Sequence, residues 1–220
     1  MYGDFLWMLD LNCLKSEGVV VIDGVHSKDE LIRVAKSIGK IKPHPNGEYV
    51  AELKSSDGRS SLAGTFSNVY GLSAFPFHTD TAFWELPARY VVMGMIERSG
   101  SKTNYISLSD IEKNISGDFL AKARKSIYLS ETFEGSKYTS LVFGGNEAWG
   151  FRFDPNIMTP ANVHAKNFHE ELETAIERVE PRKIDWGGSR AVVIDNWKFL
   201  HGRESVKNES REMLRIYLEN

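Results

Sequence analysis

Side chains able to hold a metal ion occur in two short stretches that lie far apart in the chain. The first is Phe75-Pro76-Phe77-His78-Thr79-Asp80, which offers an imidazole and a carboxylate at i and i+2. On an extended strand these positions point to the same side, so the two groups can converge on one point. Taken alone, the pair reads first as a strand-end histidine bonded to a nearby carboxylate. The second stretch is Asp195-Asn196-Trp197-Lys198-Phe199-Leu200-His201-Gly202-Arg203, where an apolar strand (Ala191 to Ile194) runs into a polar turn that presents His201. A further histidine arriving from a distant strand completes what a 2-His-1-carboxylate facial triad needs. Such a triad leaves three coordination positions open and suits Fe(II) oxygen chemistry. A helical zinc motif would place two histidines close in sequence, and no H-E-x-x-H occurs. Ser-His-Asp catalysis lacks its G-x-S-x-G elbow, and the lone Cys13 has no evident activating partner.

Arginines supply the next candidate chemistry. In Arg211-Glu212-Met213-Leu214-Arg215-Ile216-Tyr217-Leu218, period two puts Arg211, Met213, Arg215 and Tyr217 on one face. Leu214, Ile216 and Leu218 form the other face and are expected to pack under helices. The arginine face points either into water or into a polar cavity, where a guanidinium fork can bind a carboxylate bidentately. Gly100-Ser101-Lys102-Thr103 puts a hydroxyl at the entry of a strand and by itself reads as a turn.

The elements that must position these groups are mostly strands. Gly18–Asp23, Tyr49–Leu53, Tyr90–Ile96, Thr103–Leu108, Tyr138–Phe143, Gly150–Phe153, Arg190–Asp195 and Met213–Leu218 read as β. A helix follows Ser27, whose capping box with Glu30 precedes Leu31, Val34, Ala35 and Ile38 at helical spacing and ends at Gly39. Two more helices are predicted over Gly117–Ile127 and from Pro160 to about Val179. Strand following strand, with helices early and as insertions, favours an α+β, mainly β protein built on an antiparallel barrel or jelly roll.

Composition bounds the rest. A length of 220 residues suits a single domain over 1–220, and a net charge of −3 gives no surplus to hold a phosphate backbone. The absence of an 18-residue apolar run argues against a membrane span. The start MYGDFLWMLDLNC lacks a signal-peptide pattern, and one cysteine fits a reducing, cytoplasmic setting. The expected partner is a small molecule, with neither nucleic acid nor membrane; homo-oligomerisation stays open.

The ordered set His78-Thr79-Asp80, Gly100–Thr103, Asp195–Arg203 and Arg211–Arg215 resembles the TauD/TfdA (taurine dioxygenase, clavaminate-synthase-like) family of Fe(II)/2-oxoglutarate-dependent oxygenases. The resemblance runs from about Tyr70 to the C-terminus. It implies a double-stranded β-helix (jelly-roll) core with flanking helices. It further implies His78, Asp80 and His201 as iron ligands and catalytic centre, with Thr103 and Arg211 holding the distal carboxylate of 2-oxoglutarate. Arg215 matches a second arginine that contacts an anionic substrate group. Which arginine takes the cosubstrate is left open by the short spacing from His201. Phe151-Arg152-Phe153-Asp154 is similar to a stretch in amino-acid-hydroxylating members, which marks Arg152 for substrate. The cofactors implied are Fe(II), 2-oxoglutarate and dioxygen, with release of succinate and carbon dioxide. Halogenating relatives carry a small residue where Asp80 stands, so hydroxylation is expected, with desaturation or cyclisation open.

Tyr70, Phe75, Phe77, Phe83 and Trp84 bracket the ligands and are candidates to line a substrate pocket, with Phe75 and Phe83 read as core. His26, His44, His164 and His169 are expected to be mostly solvated, with a lid role open for His44. The rival readings are a metal-binding jelly roll that binds or senses a ligand without turnover, and a metal-free barrel with structural histidines.

Overall fold

The computed structural model describes residues 11–44, 46–145, 148–207 and 211–219. Of the opening stretch MYGDFLWMLDLNC, read above as lacking a signal-peptide pattern, residues 1–10 lie outside the described residues. The chain opens with α1 (Leu11–Glu17), β1 (Val19–Asp23), α2 (Lys28–Ile38), β2 (Ile41–Lys42), β3 (Ala51–Lys54) and α3 (Phe66–Tyr70). It continues through β4 (Phe75–His78), β5 (Tyr90–Met95), β6 (Ser99–Ser107), α4 (Leu108–Glu112), α5 (Phe119–Lys125), β7 (Ile127–Thr132) and β8 (Gly135–Ser140). The remainder is β9 (Val142–Gly144), β10 (Trp149–Phe151), β11 (Met158–Pro160), α6 (Val163–Arg178), β12 (Arg182–Trp186), β13 (Arg190–Asp195), β14 (Phe199–Arg203) and β15 (Glu212–Leu218).

Two antiparallel sheets carry the architecture. The larger runs β1-β13-β5-β15-β2, with β3 also pairing to β15; the smaller runs β12-β6-β14-β4. Alternation along the strands explains why they face each other. Val91, Met93, Met95, Val192, Ile194, Met213 and Tyr217 of the larger sheet meet Ile184, Trp186, Tyr105 and Phe199 of the smaller one. The opposite face of the larger sheet (Val92, Ala191, Val193, Leu214, Ile216 and Leu218) is covered by Leu14 of α1 and by Leu31, Val34 and Ala35 of α2. Strands buried on both faces read as unbroken apolar runs, which is why β5 and β13 were legible. Beyond the smaller sheet, Ile106 and Leu200 pack against Ile111, Phe119, Phe168 and Leu172 of α4, α5 and α6.

Local chemistry sets the helix starts. The Ser27 hydroxyl accepts from Glu30 N at 3.2 Å, while the Glu30 carboxylate accepts from His26 N. Asp118 and Asn162 cap α5 and α6 in the same way. Some expectations need correction. Gly100–Thr103 is not a turn but lies inside β6, and Tyr138–Phe143 is broken at Leu141 into β8 and β9. The strands β2, β7, β11, β12 and β14 and the short helices α1, α3 and α4 are not marked by apolar runs or clear alternation in the sequence. Among the described residues no helix is long and apolar enough to cross a membrane.

One glycine limits how closely the smaller sheet can close. Between β14 and β4 the register shifts after His201, and a Cβ on Gly202 would lie 2.7 Å from the Phe75 carbonyl oxygen and 3.2 Å from that of Pro76. Backbone cannot give way as a side-chain tip can. Gly202→Ala is therefore expected to cost about 1–3 kcal/mol in chemical denaturation. Gly187→Ala, which meets nothing within 4 Å, should stay within about 0.5 kcal/mol of the parent.

Candidate metal centre

The β4–β14 pairing sets His78 directly opposite His201, with ring centroids 4.6 Å apart. Pro76 is tolerated in β4 because that strand is the edge of its sheet. The Pro76 carbonyl then accepts a hydrogen bond from His78 Nδ1 at 2.9 Å. A carbonyl only accepts, so Nδ1 carries the proton and Nε2 keeps its lone pair.

Asp80 follows β4 in a turn that is held from several sides. Asn196 Oδ1 accepts from Asp80 N at 2.9 Å, and Asn196 Nδ2 donates to the carbonyls of Asp80 and Ala88. Thr81 is in the left-handed region at φ 56°, which is uncommon for a β-branched residue. Its hydroxyl donates to the Asp80 carbonyl at 2.6 Å and accepts from Ala88 N at 2.9 Å. Thr79 pairs through its backbone and hydroxyl with Phe153. These partners keep a strained turn in one geometry.

The outcome is a compact donor set. His201 Nε2 lies 3.6 Å from Asp80 Oδ2 and His78 Nε2 lies 3.9 Å from Asp80 Oδ1. The three donor atoms all fall within 4.8 Å of one another, and each residue is buried. Asp80 Oδ2 is buried with no hydrogen-bond partner, whereas Oδ1 accepts from Arg215 Nη1 at 2.8 Å. A buried carboxylate oxygen left without a donor fits a cation ligand. Burial pushes the His78 imidazolium down to about 3, and the neighbouring His201 acts in the same direction, so His78 is neutral as a ligand must be. Burial acts to raise the Asp80 carboxyl, but Arg215 and the two imidazoles outweigh it and hold Asp80 far below the usual carboxylate range. Two imidazoles and one carboxylate, two of the ligands at i and i+2 and the third distant in sequence, suit Fe(II).

The last strand behaves as its period indicates. Arg211, Met213 and Tyr217 are buried and Arg215 is partly buried on one face, with the leucine face under α2. Arg211 Nη2 approaches Thr103 Oγ1 at 3.4 Å, and Trp186 Nε1 donates to the same hydroxyl at 3.0 Å. Arg211 and Thr103 thus meet between the two sheets.

Other placements differ from expectation. His44 is not solvated: it is 7% exposed, donates from Nε2 to the Arg215 carbonyl at 3.0 Å, and lies against Tyr217 with centroids 4.3 Å apart. Burial and the Arg215 charge push its imidazole down. Arg152 turns inward, and its Nη atoms donate to the carbonyls of Ala82, Trp84 and Glu85. The guanidinium therefore holds the loop that carries Trp84. Trp84 is half-buried, edge-on to Tyr217 at 5.4 Å, with Lys42 Nζ over its ring at 4.2 Å. Phe75 and Phe83 are only half-buried, and neither joins a core cluster; Phe75 lies under the Arg203 guanidinium at 3.6 Å. His26 and His164 are exposed as expected, while His169 accepts or donates at the Tyr128 hydroxyl.

Three contributors escaped the sequence reading. Phe66 of α3 stacks on His78 at 4.1 Å and covers it. Arg203 donates to the carbonyls of Gly71 and Ser73 at 2.7 Å, tying down the segment that follows α3. Asn196 is wholly buried, and a polar amide at the end of an apolar strand was the available signal. Asp154, one residue beyond the Thr79–Phe153 pairing, sits near Asp80; burial, reinforced by the Asp80 charge, pushes its carboxyl up to about 7.

No protein-family model matches the sequence, and no curated protein sequence matches it. Solved structures do match. PvcB from Pseudomonas aeruginosa, described as an Fe, alpha-ketoglutarate dependent oxygenase from an isonitrile synthetic pathway, superposes with a TM-score of 0.71 at 17% identity, covering 96% of this chain and 78% of that one. An asparagine oxygenase, solved with Fe(II), 2S,3S-3-hydroxyasparagine and succinate, gives 0.74 at 13% identity over 96% and 78%. A taurine dioxygenase from Burkholderia xenovorans gives 0.68 at 13% identity over 95% and 80%. The chain therefore has the fold of the iron- and 2-oxoglutarate-dependent oxygenases of the taurine dioxygenase type.

Proposed function

We propose that this chain is an Fe(II)- and 2-oxoglutarate-dependent dioxygenase that hydroxylates a small polar metabolite, an amino acid or a derivative of one. On this reading residues 1–220 are one domain, working in the cytoplasm, and its two facing sheets are the halves of a double-stranded β-helix. The observation that carries the proposal is the convergence of one donor atom each from His78, Asp80 and His201 within 4.8 Å, beside the partnerless Asp80 Oδ2, inside a fold that hosts this chemistry elsewhere.

Each residue then has a duty. His78, Asp80 and His201 hold the ion on one side and leave its other side open. An iron ion held there would supply, with 2-oxoglutarate and dioxygen, oxidative decarboxylation to succinate and carbon dioxide coupled to hydroxylation of the substrate. Arg211 and Thr103 hold the distal carboxylate, fixing the reacting end of the cosubstrate by geometry. Because Trp186 donates to Thr103 Oγ1, the threonine proton is free to point at that carboxylate. Trp84, held by Arg152, walls the substrate space, and Arg215 offers a donor to an anionic substrate group. Asp154 is a carboxyl group beside the metal ligands that suits an ammonium group, which favours amino acids.

The rival, a metal-binding jelly roll without turnover, uses the same three ligands. Anaerobic addition of Fe(II) and 2-oxoglutarate should give a charge-transfer band that needs both, and air should then yield succinate, stimulated by members of an amino-acid panel. Neither signal with any candidate sinks the oxygenase reading. Arg211→Ala should weaken 2-oxoglutarate binding about a hundredfold or more, because a buried carboxylate is left without its partner. A ligand-binding jelly roll with no need of the clamp would change little. Asp154→Asn should raise KM for an amine-bearing substrate about tenfold while leaving the 2-oxoglutarate affinity in place.

A further inference from the structure

Asp80 has two oxygens with opposite surroundings. Oδ1 accepts from Arg215 Nη1 at 2.8 Å, and Oδ2 is buried without a hydrogen-bond partner, 3.6 Å from His201 Nε2. The guanidinium that takes Oδ1 is not loosely placed. Its carbonyl accepts from His44 Nε2, its charge lies 5.1 Å from the centre of the Tyr217 ring, and that ring is wedged between His44 and Trp84. The Asp80 backbone is equally fixed by Asn196 at both its N–H and its carbonyl. Both backbones are thus held, and moving the guanidinium gives up its bond to Oδ1 and its place beside the Tyr217 ring.

We propose that Arg215 is a positioning residue that keeps Asp80 a one-oxygen ligand of the metal ion. With Oδ1 committed to the guanidinium, only Oδ2 faces the ion. A carboxylate free to turn would bring both oxygens to the ion and fill one of the three open positions, leaving too few for a two-toothed cosubstrate and a third ligand. Arg215 thus sets the number of vacancies, a duty that needs no substrate contact and is compatible with one. The inference rests on the metal centre proposed above, but its test uses neither 2-oxoglutarate nor turnover.

The probe is manganese(II) alone, bound to the full chain, with inner-sphere water counted by proton relaxation and affinity measured by titration. The parent should hold three waters on the ion. Arg215→Met removes the donor and its charge while keeping much of the side-chain volume. It should lose one water, a fall of about a third in the inner-sphere signal, and bind the ion at least about tenfold more tightly, because a competing cation has left Asp80. A purely structural arginine would instead give weaker binding with the water number unchanged, and that result overturns the inference. If Arg215→Met does not fold by circular dichroism, Arg215→Gln, too short to reach Oδ1, carries the same two measurements. Failure of the parent to bind manganese(II) at all would instead strike the metal centre itself, so the two failures are distinguishable.

Discussion

A carboxylate buried to 6% exposure sits at the centre of this molecule, and the cost of taking that charge out of water governs what surrounds it. Isolated, Asp80 would have to protonate or destabilise the fold by several kcal/mol. It is instead met by one guanidinium on Oδ1 and two imidazoles within reach of a shared ion, while Oδ2 has no hydrogen-bond partner. Structure and chemistry coincide here: the arrangement that makes the buried charge tolerable is also the one that makes a cation site.

The two-sheet sandwich is what brings these groups together. Asp80 leaves the end of β4 in the smaller sheet, whereas Arg215 rises from β15 in the larger one, so their contact spans the interior between sheets. Arg211 and Thr103 make a second crossing of the same gap. The apolar residues between the sheets, among them Trp186, Met213 and Phe199, set the spacing over which both contacts form. A close-packed interior transmits small displacements, so packing away from the ligands still bears on their geometry.

Aromatic side chains enclose the centre. Phe66 lies on His78, Trp84 meets Tyr217, and Phe75 is covered by Arg203, which also holds the carbonyls that follow α3. Excluding water strengthens each electrostatic contact inside, and the Trp84 loop and the segment between α3 and β4 are fixed by arginine-to-carbonyl bonds. Arg152 and Arg203 therefore act on backbone. Their charge is spread over main-chain acceptors.

Reading the chain as a string was enough for the core strands β5, β13 and β15 and for α2 and α6; the His78, Asp80 and His201 set came from the resemblance, and the three side chains do cluster. Apolar runs, capping residues and period-two alternation are local, so they are written in consecutive residues. The two faces of β15 were legible for the same reason. The roles of Arg215, Arg152, His44, Asn196 and Phe66 were not, since each depends on which distant backbone or side chain it meets. An arginine's fork will serve a cosubstrate, a main-chain carbonyl or a ligand carboxylate equally well. Residue types and spacing determined which chemistry was available; only the packing of one sheet on the other decided which partner each polar group received, because hydrogen bonds and ion pairs are satisfied across space and not along the chain.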